Sequence, residues 1–168
     1  YQVQTCGLCR VYTDFRGGPE QAGSPLPHSS LQVSVSHHPH DAATLADGIL
    51  THRWRSHQAQ EEDMWIQLDL PGPTELARLR FYYNEYPFDH ADAVHILAAD
   101  RDGGWQPVAV DVPVDIKGFD VVNGHPVYGW QVQDVPLDGV TTDRLRVEIA
   151  RPRAGRDWTI GELEVYER

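Results

Sequence analysis

The sequence predicts an all-β fold, a sandwich or jelly roll of short antiparallel strands, and three observations predict it. Apolar residues recur with period two from Leu31 onward. Turn signals built on Gly, Asp, Asn and Pro interrupt that alternation at short intervals. Pro is too frequent and too scattered for long helices. Alternation of this kind gives each strand one face for a core and one for water, and many such strands with regular turns close into two packed layers.

Residues 1–30 read as an N-terminal extension or linker. They hold Cys6 and Cys9, then Gly17, Gly18, Pro19, Gly23, Pro25 and Pro27, a density that makes turns and extended chain. The strand domain is placed at residues 31–168. Its first strand is Leu31, Val33 and Val35 alternating with Gln32, Ser34 and Ser36. Asp41–Asp47 reads as one short helical turn, with Asp41 capping Ala42-Ala43-Thr44-Leu45. Met64, Ile66, Leu68 and Leu70 form the next apolar face, and a turn at Pro71-Gly72-Pro73 separates it from Ala77, Leu79, Phe81 and Tyr83. Val94, Ile96 and Ala98 follow, and then Leu145, Val147 and Ile149. Ile160, Leu163 and Val165 close the chain less strictly. Further turns fall at Asp102-Gly103-Gly104, Asn123-Gly124 and Asp138-Gly139.

A chain of 168 residues makes one domain with a full core. Its 40% hydrophobic and 23% charged residues are globular proportions. Acids number 25 against 14 Lys plus Arg, a net charge of −11, which argues against a nucleic-acid or anionic-membrane partner. No apolar run is long enough to span a bilayer, so no membrane insertion is expected. The opening Tyr1 suggests a processed chain or an excised domain. No pair of carboxylates stands out as a glycosidase acid and base, no serine lies in a nucleophile elbow, and no Gly-rich phosphate loop occurs. The sequence therefore reads as non-enzymatic.

Ala46-Asp47-Gly48-Ile49-Leu50-Thr51-His52-Arg53-Trp54 begins a recognisable series. Trp65-Ile66-Gln67-Leu68-Asp69-Leu70, Asp102-Gly103-Gly104-Trp105, Asp143-Arg144-Leu145-Arg146-Val147 and Ile160-Gly161-Glu162-Leu163-Glu164-Val165-Tyr166 continue it in order. Over about residues 30–168 the chain resembles the discoidin family, the coagulation factor V/VIII C-type domains. The resemblance implies an antiparallel eight-stranded jelly-roll β-sandwich, galactose-binding-domain-like. In bacterial relatives it implies a carbohydrate-binding module, and in animal ones adhesion. It also implies a structural Ca2+ held by Asp47, Thr51 and Glu162 with carbonyls of Leu45 and Leu50. One departure is visible: the family's Thr stands two residues before the Trp, where this chain has His52, and a nitrogen ligand is a poor substitute for calcium's oxygens. Without calcium, the loop would close by hydrogen bonds from backbone N–H groups to Asp47.

Cys6-Gly7-Leu8-Cys9 lies outside the resemblance and is open to three readings: a local disulfide or two idle thiols, a half metal site, or a redox pair. Among nine histidines, His37-His38-Pro39-His40 reads as a surface loop and His95 as a wet-face residue. His57 and His90 fall in loops rich in polar and aromatic groups. Three such loops, 55–63, 84–92 and 151–158, are expected at one end of the sandwich. The turns at 71–75 and 100–104 are expected at the other end. A sugar site needs an aromatic face and a few fixed polar groups. His57, Asn84 and Arg153 are the expected hydroxyl contacts, with Trp158 or Tyr86 as the platform and Phe88 as a further choice; each of these aromatics has the alternative of plugging the core.

The leading functional reading is a non-catalytic carbohydrate-binding module for a small neutral sugar, glycan or oligosaccharide. Its rivals are an adhesion or protein-interaction domain and an accessory domain packed against a larger enzyme. The expected setting is extracellular, periplasmic or cell-surface, within a larger secreted or membrane-anchored parent protein.

Overall fold

The structure, a computed structural model, describes residues 23–83, 88–114, 116, 120–123, 125–127 and 131–168. Cys6, Cys9, Asn84 and Tyr86 lie outside the described residues. In chain order the strands are β1 (Ser24–Pro25), β2 (Gln32–Val35), β3 (Trp54–Ala59), β4 (Trp65–Tyr83), β5 (Ala93–Ala99) and β6 (Trp105–Pro113). They continue as β7 (Asp120–Val122), β8 (His125–Val127), β9 (Gln131–Pro136), β10 (Thr141–Arg151), β11 (Asp157–Ile160) and β12 (Glu162–Glu167). Short 3-10 helices occupy His28–Ser30 and Pro39–Ala46.

Among the described residues all the strand pairs are antiparallel, and β4 organises them. Its first half, around Ile66 and Leu68, pairs with β2 on one side and β10 on the other, and β5 and β6 extend that layer. Its second half, Leu76 to Tyr83, pairs with β12 and β9, and β1 extends the second layer. The connected sheet holds eight strands, and β4 belongs to both layers of the sandwich.

The expected turn at Pro71-Gly72-Pro73 is therefore a place where one strand changes layer. Asp69 pairs with Arg144 and Thr74 with Thr142, so Leu70 to Pro73 bulge opposite Asp143 alone. Prolines lack the N–H that a ladder needs, and a bulge at a sheet corner is where a strand tolerates them. The turn at Asp138-Gly139 is as expected: both residues have positive φ, 49° and 77°, and Val140 N–H donates to Leu137 O (3.0 Å) where the chain passes from β9 in one layer to β10 in the other.

The period-two residues fill the space between the layers. Ile66, Leu68, Leu79, Phe81, Ile96, Leu145, Val147, Leu163 and Val165 are fully buried. On the opposite face of the β4–β10–β5–β6 layer, Arg146 stacks between Trp65 and Trp105 at 4.6 and 4.2 Å from their ring centroids. Cation–π contact of this kind shields wet-face indoles without a second sheet over them.

Three sequence expectations are corrected here. The sandwich begins before residue 31: β1 pairs with β12, and Leu26 belongs to the core. The helical turn starts at Pro39, not Asp41, with His38 in the N-cap position at φ 47° and no side-chain cap. A proline at the first helical position sets the start, because its missing N–H has no partner to lose there. The segment 55–63 is not all loop, since β3 runs to Ala59.

Candidate functional site

The end of the sandwich beyond β3, β5, β10 and β11 is a hydrogen-bonded frame centred on Gln60. This side chain is buried, and its amide must therefore find partners. Its Nε2 donates to Asp157 O (2.8 Å) and its Oε1 accepts from Arg153 N–H (2.8 Å). Its backbone N–H donates to Arg156 O (2.8 Å). Thr159 N–H donates to Asp89 O (2.7 Å), and Asp92 N–H donates to Arg151 O (2.9 Å). The segments after β3, before β5 and between β10 and β11 are thus tied together.

Arg153 is fixed within this frame. Its Nε and Nη2 donate to Asp92 Oδ1 (2.9 and 2.6 Å), and Nη1 meets His90 Nε2 at 3.2 Å. His90 Nδ1 lies 2.9 Å from Ala91 O, a bond in which the ring must donate, leaving Nε2 to accept from Arg153. Arg55 Nε donates to Asp157 Oδ2 across the β3–β11 pair. Phe88, 62% exposed, stands at the same end.

His57 reaches this end through a bulge. Arg55 pairs with Thr159 and Ala59 with Asp157, so Ser56, His57 and Gln58 oppose Trp158 alone. Ser56 Oγ holds the bulge closed, accepting from Trp158 N–H (2.9 Å) and donating to Gln58 O (2.8 Å). His57 sits at its crest with φ 55° and an exposed side chain. Its ring lies 4.2 Å, centroid to centroid, from that of His38.

Trp158 is not a platform. It is 1% exposed and packs edge-on against Trp54, also fully buried, at 5.5 Å. An indole with no open face has nothing to offer a sugar ring; it closes the end of the core instead. Trp54 Nε1 donates to His38 O (3.2 Å), which links the same plug to the turn that carries His38.

The acidic corner lies at the Asp-Gly turn. Asp47 Oδ1 accepts from Ile49 N–H (2.8 Å), and Glu162 Oε1 accepts from Gly48 N–H (3.3 Å). Asp47 and Glu162 therefore meet across a turn that joins the start of the domain to its closing strand. Asp47 Oδ2 is taken by His52 Nδ1 (2.7 Å), while Thr51 is exposed in the turn. His28 packs over Gly48, its Nδ1 3.0 Å from Glu162 Oε1 but not aligned as a hydrogen bond. Glu162 is fully buried, and its Oε2 has no hydrogen-bond partner. Burial, together with the nearby Asp47 and Glu164 charges, pushes its carboxyl up to about 7, against the pull of the Gly48 N–H.

Sequence reasoning missed Gln60, His28 and His38. Gln60 and His28 act through partners remote in the chain, and His28 fell in the stretch read as linker. The one available signal was His52, flagged as standing in the place of the family's Thr and now found on Asp47.

No known family's sequence pattern and no curated protein matches the chain. Solved structures do match its fold. The family 32 carbohydrate-binding module of Clostridium perfringens NanJ, in complex with galactose, superposes with a TM-score of 0.68 at 16% identity, over 87% of this chain and all of that one. CpGH89CBM32-5 of Clostridium perfringens, in complex with GalNAc-β-1,3-galactose, gives 0.67 at 13% identity, over 85% and 99%. Chitosan-binding module 1 of a Paenibacillus sp. IK-5 chitosanase/glucanase gives 0.59 at 18% identity, over 81% and 92%. The chain thus has the antiparallel β-sandwich fold of these carbohydrate-binding modules.

Proposed function

We propose that this domain is a non-catalytic carbohydrate-binding module that holds a small neutral sugar at the Gln60-framed end of the sandwich. The observation that carries the reading is the frame itself: three segments tied together by the buried Gln60 amide and by backbone hydrogen bonds, presenting fixed polar groups beside an exposed aromatic. His57, Asn84 and Arg153 are the proposed hydroxyl contacts. Arg153 suits this role because Asp92 and His90 already hold its guanidinium, so little freedom is lost on binding. Phe88 takes the platform role that burial denies Trp158, with Tyr86 beside it in sequence. Glu61, Glu62, Asp89, Asp92 and Asp157 favour a neutral ligand over an acidic one, since a uronate or sialate would meet like charge. The galactose of the NanJ complex is of this neutral kind. The finer discoidin kinship, and a place in a larger secreted or cell-surface protein, belong to the same proposal. A glycan array tests it. Neutral hexose-terminated glycans should be retained and released by free sugar. An array without specific signal, alongside capture of a protein ligand, would favour the adhesion reading.

The acidic corner is proposed to hold structural calcium between Asp47 and Glu162, with Thr51 on its exposed rim. Support comes from Glu162 Oε2, a buried carboxylate oxygen without a hydrogen-bond partner. An ion there would supply only a cross-link between the Asp-Gly turn and β12. It would have to displace His52 from Asp47 Oδ2 and compete with His28 for Glu162 Oε1. Calcium should raise the melting temperature of the wild type by mass action and leave that of Asp47→Ala unchanged. A rise that survives Asp47→Ala removes the site.

A further inference from the structure

We propose that His38, Asp41 and His57 form a binding site for one divalent transition-metal ion of the zinc class, at the sugar-facing end but separate from the acidic corner. One ligand atom from each residue lies within 4.8 Å of the other two. His38 Nε2 and Asp41 Oδ2 are 3.2 Å apart. Zn–N and Zn–O bonds of about 2.0–2.2 Å in a tetrahedral shell place neighbouring ligand atoms about 3.3–3.5 Å apart. The pair on the 3-10 turn is already at that spacing, and the third ligand closes on it by a side-chain movement of about 1 Å on the same geometry.

Two independent pieces of backbone deliver these groups. A 3-10 helix has three residues per turn, so positions three apart eclipse. His38, at the N-cap, and Asp41 therefore share one edge of the Pro39–Ala46 helix. His57 comes from the β3 bulge, and bulges re-aim side chains in this way. Both histidines have positive φ, 47° and 55°, a conformation uncommon for residues other than glycine. Each is anchored to the Trp54–Trp158 plug, His38 through its carbonyl and the bulge through Ser56. The two imidazoles thus lie with ring centroids 4.2 Å apart and planes tilted by 51°. Among the described residues the His57 ring nitrogens have no hydrogen-bond partner.

The donor set selects the ion. Two imidazole nitrogens and one carboxylate suit zinc and its borderline neighbours, whereas calcium and magnesium take oxygens. His38 and Asp41 are 34% and 45% exposed and His57 is exposed, so water can fill the remaining coordination position and the ion can enter from solvent.

The test is zinc titration of the whole chain, without sugar, in a buffer that does not chelate, by calorimetry and by NMR of the imidazole resonances. One equivalent should bind and shift the His38 and His57 rings, and calcium should shift neither. His38→Asn and His57→Asn keep a residue that tolerates positive φ and remove the imidazole. Each should weaken zinc binding at least tenfold with little change in melting temperature of the metal-free domain. Zinc binding undiminished in the His38→Asn/His57→Asn double variant, as would follow if Cys6 and Cys9 were the ligands, overturns the site. So does the absence of imidazole shifts at stoichiometric zinc. Because the readout involves no sugar, its failure leaves the carbohydrate reading intact, and a failure to bind sugar leaves this site intact.

Discussion

Trp158 and Phe88 exchange the roles that an aromatic residue at a loop end can play, and substitution separates them. Trp158 is closed in against Trp54, so Trp158→Ala should cost about 3–5 kcal/mol of stability through the cavity it leaves. Phe88 is open to water, so Phe88→Ala should leave stability unchanged and weaken sugar binding by about 1 kcal/mol. Chemical denaturation and sugar titration of both variants check the pair; loss of sugar binding at unchanged stability in Trp158→Ala would reverse the assignment. Glu162 allows a second test. Its folded-state value near 7 lies above the ordinary carboxyl value of 4.5, so the folded domain binds the extra proton. That contribution to stability is full below about pH 4.5 and is lost as pH rises through about 7. With chelator present, Glu162→Gln should therefore gain on the wild type between pH 5 and pH 8, by on the order of 2–3 kcal/mol. Equal behaviour at the two pH values would mean that a neighbouring cation already offsets the buried charge.

The β3 bulge is the element on which both proposed sites depend. Ser56 Oγ serves two backbone groups, Trp158 N–H and Gln58 O, in a buried position. Ser56→Ala leaves both unpaired, which costs about 1–3 kcal/mol, and frees the crest that carries His57. Lower stability and weaker sugar binding should appear together in this variant; full binding at reduced stability would show that the bulge does not position the site. Bulges, like edge strands, are poorly written in sequence. The alternation of Ile66 and Leu68 or of Leu145 and Val147 was legible because one face is buried and the other is wet. β6 was not, since as the last strand of its layer it is exposed or only half-buried throughout and carries Pro107 and Pro113. β3 was not, because past Ser56 its side chains, His57, Gln58 and Ala59, are all exposed and form no apolar face.

At the scale of the molecule, the long strand β4 joins the two layers and so fixes which loops share an end. That gathering could be anticipated, the grouping of 55–63 with 84–92 from strand succession and the addition of 151–158 from the family pattern. What could not be anticipated was how the loops are held. Gln60 reaches Arg153 and Asp157, 93 and 97 positions further along the chain, and nothing local marks one glutamine among several as a clamp. His28 and His38 were missed for the same reason, their meaning being set by Glu162 and by the bulge. The frame's claim to be a sugar site is tested most directly by NMR titration of the full chain with galactose and other neutral monosaccharides. Binding should be weak, about 0.1–1 mM, as suits a ligand that buries little area. Amide shifts should gather at residues 55–63, 88–92 and 151–157. Shifts gathered instead at the β4 corner, 71–75, and the turn 100–104, or none at millimolar sugar, would contradict the account.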